Sequence, residues 1–265
     1  MLCDAGHNAT NIYYMNITSL NETVAVKTVS ETDFEGAFEI EGLYTGYGLT
    51  MGNALRRVLI SSLPGAAVTR IKIKGVNHEF STLEGLSEDI VELTLNLKQV
   101  RFRLYSDEPQ TITLKVKGEK EVTAGDIETN AQVDVVNKDA YLGRLTAKTA
   151  ELDMEITVER GLGYMPVEAS RAEKLPIGVI ALDAIFTPVT LVTFVVENMR
   201  VGDRTDYNRL KLRIVTDGSI TPSFALNAAC TILESHYSKI ALVEQRAEPK
   251  IKAAKAEKPK KAKKE

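Results

Sequence analysis

Polar and apolar residues alternate along several stretches of the chain, which is the two-residue period of a half-buried β-strand. The stretch 34–43 shows this pattern, since Phe38 and Ile40 alternate with Glu39 and Glu41. Similar alternation between turn residues predicts further strands at 68–73, 100–105, 111–117, 131–136, 151–159, 189–197 and 209–215. The middle of the chain is therefore expected to be rich in strands.

A helical period replaces this alternation in three places. We expect a first helix at about 50–63, between a glycine-rich turn and the Pro-Gly pair that follows it. A second is predicted at 87–98, with Ser87 as its N-cap. A third should span about 221–245, because the proline in its first turn is preorganised for a helix. Together these elements predict an α+β fold.

The first predicted helix is apolar over most of its circumference, which indicates that it is covered on two sides. One face holds Met51, Ala54, Leu55, Val58 and Ser62. The adjoining arc holds Arg56, Leu59, Ile60 and Leu63. Either the whole helix is buried within one subunit, or the arc with Arg56 contacts a partner protein. An arginine among aliphatic residues is typical of such an interface.

The last predicted helix carries a heptad-like apolar seam. The seam residues are Leu226, Cys230, Leu233, Tyr237 and Ile240. A second apolar flank lies beside them, so one-sided packing on the chain's own sheet and a helix-mediated homodimer both fit the pattern. Within such a seam, Cys230 is expected to act as a small hydrophobic residue.

The charge of the chain is unevenly distributed. The 265 residues have a formal net charge of −3, but residues 249–265 alone carry +6, which leaves the first 248 residues at −9. This Lys-rich tail has too few apolar residues to fold. It is either a solvated tail or an electrostatic arm that binds nucleic acid without sequence preference. The candidate DNA contacts are Lys258, Lys260, Lys261, Lys263 and Lys264.

Composition excludes several classes of protein. Two Cys and three scattered His build neither a disulfide framework nor a zinc module. No apolar run approaches the ~20 residues that span a bilayer. Residues 1–14 lack the basic and apolar regions of a secretory signal. We therefore expect a cytosolic protein, and leave open whether translation starts at Met1 or Met15.

No catalytic constellation emerges from the sequence. The spacing Gly46-x-Gly48-x-x-x-Gly52 is similar to a dinucleotide-binding fingerprint, but its third glycine is one position late and no acidic residue stands near position 72. His78 lacks the second histidine of a zinc protease helix. We predict no catalytic, metal-binding or cofactor-binding residues. The rival interpretation is an enzyme that binds a nucleotide at the Gly46–Gly52 turn, and it predicts saturable nucleotide binding.

A series of motifs resembles the alpha subunit of bacterial RNA polymerase. In chain order the motifs are Gly46–Leu59, Gly75–Thr82, Glu88–Ile90, Asn96–Lys98, Arg160–Tyr164 with Pro166, Pro176–Gly178, Arg204–Asp206 and Thr216–Gly218 with Pro222. They occur in the family's order and span roughly residues 34–243. As a series they are far more specific than any one of them alone.

The resemblance implies an α+β fold of two subdomains. A dimerisation subdomain would comprise 30–64 and 189–246, interrupted by an inserted strand-rich subdomain at 65–188. A polar segment, 1–29, would precede them, and a disordered Lys-rich tail, 247–265, would follow. The resemblance also implies a cytoplasmic, nucleoid-associated homodimer without a cofactor. In the family this dimer is the non-catalytic platform on which the beta and beta-prime subunits assemble.

The resemblance further implies which residues contact each partner. The expected beta contacts are Arg56, Leu59 and Lys98. The expected beta-prime contacts are Ile177, Gly178, Asp183, Phe186 and Pro188. The residues expected to pack the dimer are Tyr47, Leu226, Cys230, Leu233 and Tyr237.

The resemblance does not include the last domain of the family. Members of the family usually continue into a small helical domain that binds promoter DNA, whereas this sequence ends in its Lys-rich tail. Whether the domain is absent from the lineage or removed by truncation stays open. The alternative interpretation is a stand-alone dimeric module that binds DNA or another polyanion through the tail.

Overall fold

A computed structural model describes residues 23–170 and 176–243 of the chain. The helices are α1 (Tyr47–Ser61), α2 (Ile90–Leu97), α3 (Val167–Ser170) and α4 (Pro222–Ile240). The strands are β1 (Ala25–Glu31), β2 (Glu35–Leu43), β3 (Pro64–Ile73), β4 (Phe102–Leu104), β5 (Gln110–Lys117), β6 (Lys120–Thr123), β7 (Ile127–Glu128), β8 (Val133–Val135), β9 (Tyr141–Leu145), β10 (Glu151–Leu162), β11 (Tyr164–Met165), β12 (Val179–Ala181), β13 (Ala184–Ile185), β14 (Val189–Val201) and β15 (Arg204–Thr216). The two start positions and the Lys-rich tail, with its candidate DNA contacts, lie outside the described residues.

The first two and last two strands form an antiparallel sheet in the order β1-β2-β15-β14. Alternation places Phe38 and its cross-strand partner Leu212 on the face that packs with α1 and α4 in one hydrophobic core. The opposite face carries cross-strand ion pairs, such as Lys27 Nζ 2.6 Å from a Glu41 carboxylate oxygen. We call these four strands with α1 and α4 the sheet-and-helix body.

Between α1 and β14 the chain forms a second body around a sheet in the order β7-β5-β10-β3-β4-β8, with β12 also paired to β3. Its central strand β10 buries alternate residues, among them Leu152 and Ile156. Helix α2 and strand β9 pack into the same core through Leu93 and Leu142. We call this the strand-rich body.

The predicted α+β class is confirmed, and each predicted strand is present with shifted ends. Strands β1, β6, β7, β9 and β11 to β13 were not predicted, because most of them are too short to show a period. Strand β1 begins within the segment expected to be polar, and all of its residues are exposed. Its place in the sheet comes from pairing with β2 rather than from burial of its own side chains.

The prediction of Ser87 as an N-cap is wrong. Helix α2 begins at Ile90, and Asp89 occupies the N-cap position. The amide of Ser87 instead donates a hydrogen bond of 2.9 Å to the Arg144 carbonyl in β9. Pairing with a neighbouring strand therefore takes precedence over an early helix start.

The ends of α1 and α4 also test the predictions. Helix α1 begins at Tyr47, directly after Gly46, whose φ of 85° is accessible to glycine at low cost. It ends before Pro64, which starts β3, a strand position where proline is tolerated. At α4 the proline predicted in the first turn is Pro222, and Thr221 is the N-cap, since its Oγ1 accepts a 3.4 Å hydrogen bond from the Phe224 amide.

None of the helices in the described part of the chain is long and apolar enough to cross a membrane. Within residues 23–170 and 176–243, no three His, Cys, Asp or Glu side chains are grouped to hold a metal ion. Exposed apolar side chains, in contrast, are frequent on α1 and α4.

Candidate assembly surfaces

Helix α1 approaches the sheet closely because glycines line its inner face. Gly48 and Gly52 are buried one turn apart, and Leu55 and Leu59 continue the same stripe. A Cβ on Gly52 would lie 2.7 Å from the Phe194 ring, so any larger residue would push the helix away. The glycine spacing that is similar to a nucleotide-binding fingerprint therefore has a packing role here.

A buried asparagine fixes the start of α1. Asn208 of β15 accepts hydrogen bonds from the amides of Gly46, at 2.8 Å, and Gly48, at 3.4 Å. Its Nδ2 donates to Asn198 Oδ1 of β14 at 3.2 Å. It thus satisfies helix amides that Gly46, with no side chain, leaves without a cap. Sequence reasoning missed this residue because nothing near α1 points to a partner so distant in the chain.

The start of α1 is further held by a cluster of aromatic and charged residues. The guanidinium carbon of Arg204 lies 5.1 Å from the Tyr44 ring centre and 5.3 Å from that of Tyr207. Arg204 also donates a 2.7 Å hydrogen bond to Asp206, which accepts another from Thr45. The hydrogen bond from Arg204 lowers the pKa of Asp206 to about 2. The motif Arg204-Thr205-Asp206 therefore anchors the loop before α1.

The outer face of α1 is exposed on the free chain. Arg56 and the adjacent Arg57 are both exposed, and 40% of Ile60 is accessible. Leu59, which the resemblance assigned to the beta contact, is fully buried in the core beside Leu63. The assignment of Leu59 to a beta contact stays a prediction, since in this conformation its side chain faces the chain's own sheet.

Helix α4 buries little of its apolar surface. Along its 19 residues, only Pro222, Ala225 and Ala229 are buried. Of the predicted dimer seam, Leu226 and Leu233 are half-buried, Cys230 is exposed, and Tyr237 and Ile240 are about 60% exposed. Tyr47 of α1, the remaining predicted dimer residue, is 48% exposed. The seam therefore lies along the boundary between the core and an uncovered apolar face.

Two residues assigned to different partners lie together. Lys98, after α2, has its Nζ 3.4 Å from Asp183 Oδ2, although the resemblance assigned Lys98 to beta and Asp183 to beta-prime. Asp183 Oδ1 also accepts a 2.9 Å hydrogen bond from the Val167 amide. This amide, and then Lys98, hold the pKa of Asp183 below its usual range. The two predicted surfaces therefore meet at one ion pair.

The other residues expected to face beta-prime differ in exposure. Ile177 is 93% exposed beside Gly178, which turns the chain with a φ of 85°. Phe186 and Pro188 are buried, and Phe186 packs where a Cβ on Gly161 would lie 2.6 Å from its ring. The assignment of Phe186 and Pro188 to a partner contact stays a prediction, and in the free chain both side chains are buried.

Comparison with known proteins identifies the family. A family model described as "RNA polymerase Rpb3/RpoA insert domain" matches residues 71–187. The DNA-directed RNA polymerase subunit alpha of Symbiobacterium thermophilum is 48% identical over 215 residues, a match covering 81% of this chain and 67% of that protein. The chain belongs to the bacterial RNA polymerase alpha-subunit family.

Other alpha subunits match similarly. That of Roseiflexus castenholzii is 49% identical over 216 residues, covering 82% of this chain and 66% of the relative. That of Chloroherpeton thalassium is 44% identical over 231 residues, covering 87% and 70%. The alignments thus span about two thirds of the relatives' length. In this alpha-family chain, the insert-domain match falls in the strand-rich body, from within β3 to just before Pro188.

Proposed function

We propose that the chain homodimerises through α1 and α4 and serves as a non-catalytic assembly platform for the beta and beta-prime subunits of RNA polymerase in the cytoplasm. The observation that carries this proposal is the uncovered apolar face of α4, in a body where α1 and α4 already share one core. Family membership supports the same role, since the matched relatives are named as alpha subunits of DNA-directed RNA polymerase.

The dimer contact follows from what α4 exposes. Tyr237 and Ile240 are each about 60% exposed, and they extend the half-buried Leu226 and Leu233 into one apolar strip. A second copy of the same strip is the self-complementary partner that a two-fold dimer requires. Covering the strip would remove these side chains from water and supply the hydrophobic term that drives association. The dimerisation subdomain therefore corresponds to the sheet-and-helix body.

The beta subunit is proposed to bind the outer face of α1. Arg56 lies on this face and is exposed, as is Arg57 beside it. Arginine anchors dominate many interfaces, and truncating one costs about 2 kcal/mol or more. Beta-prime is proposed to bind near Ile177, which projects from the strand-rich body and is almost fully exposed. The Lys98–Asp183 pair connects α2 with this second surface.

Co-purification of beta with an affinity-tagged chain tests the role of Arg56. We expect Arg56→Ala to leave the dimer mass unchanged and to weaken beta capture at least about tenfold. Lys117→Ala is the matched control, since this exposed lysine lies on β5, away from α1. An undiminished amount of co-purified beta with Arg56→Ala would contradict the assignment. If only Arg57→Ala reduced beta capture, the contact would be assigned to Arg57 instead.

The Lys-rich tail supports a second, separable activity, sequence-blind binding of DNA. Its eight Lys would release counterions from the phosphate backbone on binding. Deleting residues 249–265 should then reduce the salt slope of non-specific DNA binding, by about 0.9 for each phosphate that the tail neutralises in the intact chain. An unchanged slope would favour a tail that is only solvated.

A further inference from the structure

The turn after β15 has a conformation that requires its sequence, Asp217-Gly218-Ser219. Gly218 has a φ of 86°, and a Cβ there would lie 2.4 Å from the Phe34 ring. Asp217 Oδ1 accepts hydrogen bonds from the Ser219 amide, at 2.9 Å, and from its hydroxyl, at 2.5 Å. The Asp217 amide donates to the Pro188 carbonyl at 2.9 Å. These contacts hold the turn rigidly, and the assembly surfaces do not use it.

Two arginines of the strand-rich body reach this turn. Alternation along β4 buries Phe102 in the core, so the residues on either side of it, Arg101 and Arg103, point the other way. Arg103 donates from Nε to the Ser219 carbonyl and from Nη2 to the Gly218 carbonyl, each at 3.0 Å.

A charge pair lies beside this fork. Arg101 Nε is 3.9 Å from Asp217 Oδ2, and the Asp217 side chain is only 9% exposed. Asn137 holds Arg101 in place, because its Oδ1 accepts a 2.7 Å hydrogen bond from the Arg101 amide. Arg101 and Arg103, at the start of β4 in the strand-rich body, therefore both contact one turn of the sheet-and-helix body.

The position of the turn relates the arginine contacts to the orientation of the two bodies. The chain passes between the two bodies near Pro64 and near Pro188, and these two passages pack closely, since a Cβ on Gly65 would lie 1.7 Å from the Phe186 carbonyl oxygen. A contact confined to the passages would act as a hinge. The arginine contacts meet the turn between the Pro188 passage, whose carbonyl accepts a hydrogen bond from the Asp217 amide, and Thr221, the N-cap of α4. They add side-chain contacts to the two passages, and these restrict the rotation that a hinge alone would leave free.

We propose that Arg101, Arg103 and the turn Asp217–Ser219 form a clamp that sets the orientation of the strand-rich body on the sheet-and-helix body. Arg103 is the positioning residue, because its planar guanidinium donates to two adjacent carbonyl oxygens in fixed directions, whereas a lysine ammonium is a point charge on a flexible stem. The clamp also links the strand-rich body to the first turn of α4. This inference concerns contacts within one chain and does not depend on the proposed partners.

Hydrogen exchange of the full chain tests the local part of the clamp. In Arg103→Ala the amides of Asp217 and Ser219 should exchange at least about tenfold faster, because local opening no longer breaks two charge-assisted hydrogen bonds. Arg103→Lys should restore little of this protection. Arg160→Ala is the control, since Arg160 lines the same groove but pairs with exposed Asp107. Unchanged exchange in Arg103→Ala and Arg103→Lys would overturn the proposal.

The distance between the bodies tests the orientation itself. Dyes on Lys117→Cys and Asp203→Cys, both at exposed positions, report this distance by single-molecule energy transfer. The native cysteines, Cys3 and Cys230, are replaced by Ala, which keeps position 230 small and apolar, and excess unlabelled chain prevents transfer between copies. We expect one narrow distribution that broadens in Arg103→Ala and stays narrow in Arg160→Ala. Faster exchange with an unchanged distribution would limit Arg103 to the turn and overturn its positioning role.

Discussion

Helices α2 and α4 bury their apolar residues to very different extents in the two bodies. In the strand-rich body, α2 buries Ile90, Leu93 and Leu97 completely, and these are more than half of its apolar residues. In the sheet-and-helix body, the much longer α4 buries only two small alanines and its first proline, while Phe224 and Tyr237 remain about 60% exposed. The strand-rich core is completed by its own chain, whereas the other is covered on one side only.

This difference fits the proposal that one chain combines a self-contained part with an interface. A core that is complete within one chain does not need a partner for its stability. A helix that leaves an apolar strip exposed is stable when something covers it, because large exposed apolar patches mark interaction sites. The sheet-and-helix body is therefore the part of the molecule whose stability should depend on association.

The substitution Leu233→Asp should have the largest effect. It places a carboxylate in the half-buried seam of α4, where association would have to bury an unpaired charge. We expect complete loss of the dimer, measured as a light-scattering mass equal to one chain. Ser235→Asp, at an exposed position on the opposite side of α4, is the control and should stay dimeric. A Leu233→Asp protein at twice the chain mass would show that the seam is not the dimer contact.

A core substitution in the strand-rich body should have the converse effect. Leu152 is fully buried in β10, so Leu152→Ala removes packing and leaves a cavity. We expect the free energy of unfolding to fall by about 2–5 kcal/mol. Chemical denaturation measures this loss, and light scattering should give an unchanged dimer mass. If the dimer dissociated as well, the strand-rich body would not be self-contained.

The smallest expected effect is a pH dependence at the start of α1. The pKa of Asp206 is lowered from 3.8 to about 2, mainly by the hydrogen bond from Arg204. A lowered pKa stabilises the folded state above the ordinary value, and this stabilisation is lost as the pH falls from about 4 to about 2.

Denaturation of Asp206→Asn across this range measures that contribution. The difference from the unmodified chain should be present at pH 6, vanish near pH 2 and shrink in high salt, because the pair is exposed. Asp203→Asn, on the same hairpin but fully exposed, is the control substitution. A constant difference for Asp206→Asn between pH 6 and pH 2 would contradict the role of this pair.

Alternation and helical period predicted the α+β class and the principal strands, because each pattern repeats over many residues and reflects local burial. The wheel of α1 placed Arg56 on the outer arc, where it is exposed. It grouped Leu59 with Arg56, whereas Leu59 is buried in line with Gly48, Gly52 and Leu55, because the glycines let this face of the helix approach the sheet. A hydrophobicity scale does not predict this close approach of helix and sheet, because glycine contributes little to such a scale.

The contacts between distant segments could not be predicted from the sequence. Asn208 caps a helix about 160 residues earlier in the chain, and Arg103 grips a turn more than 100 residues later. Lys98 and Asp183 were each singled out by resemblance, yet nothing in their local sequence indicated that they pair. Such partners are set by the topology of the sheets, which brings strand ends together only once the whole chain has folded.

The most direct test of the central claim is the composition of the complex that the chain forms. Native mass spectrometry of the assembly captured through the chain from its own cells measures the copies of each subunit. The account predicts two copies of the chain with one copy each of beta and beta-prime. A single copy in the assembly, or a chain recovered without the two large subunits, would contradict it.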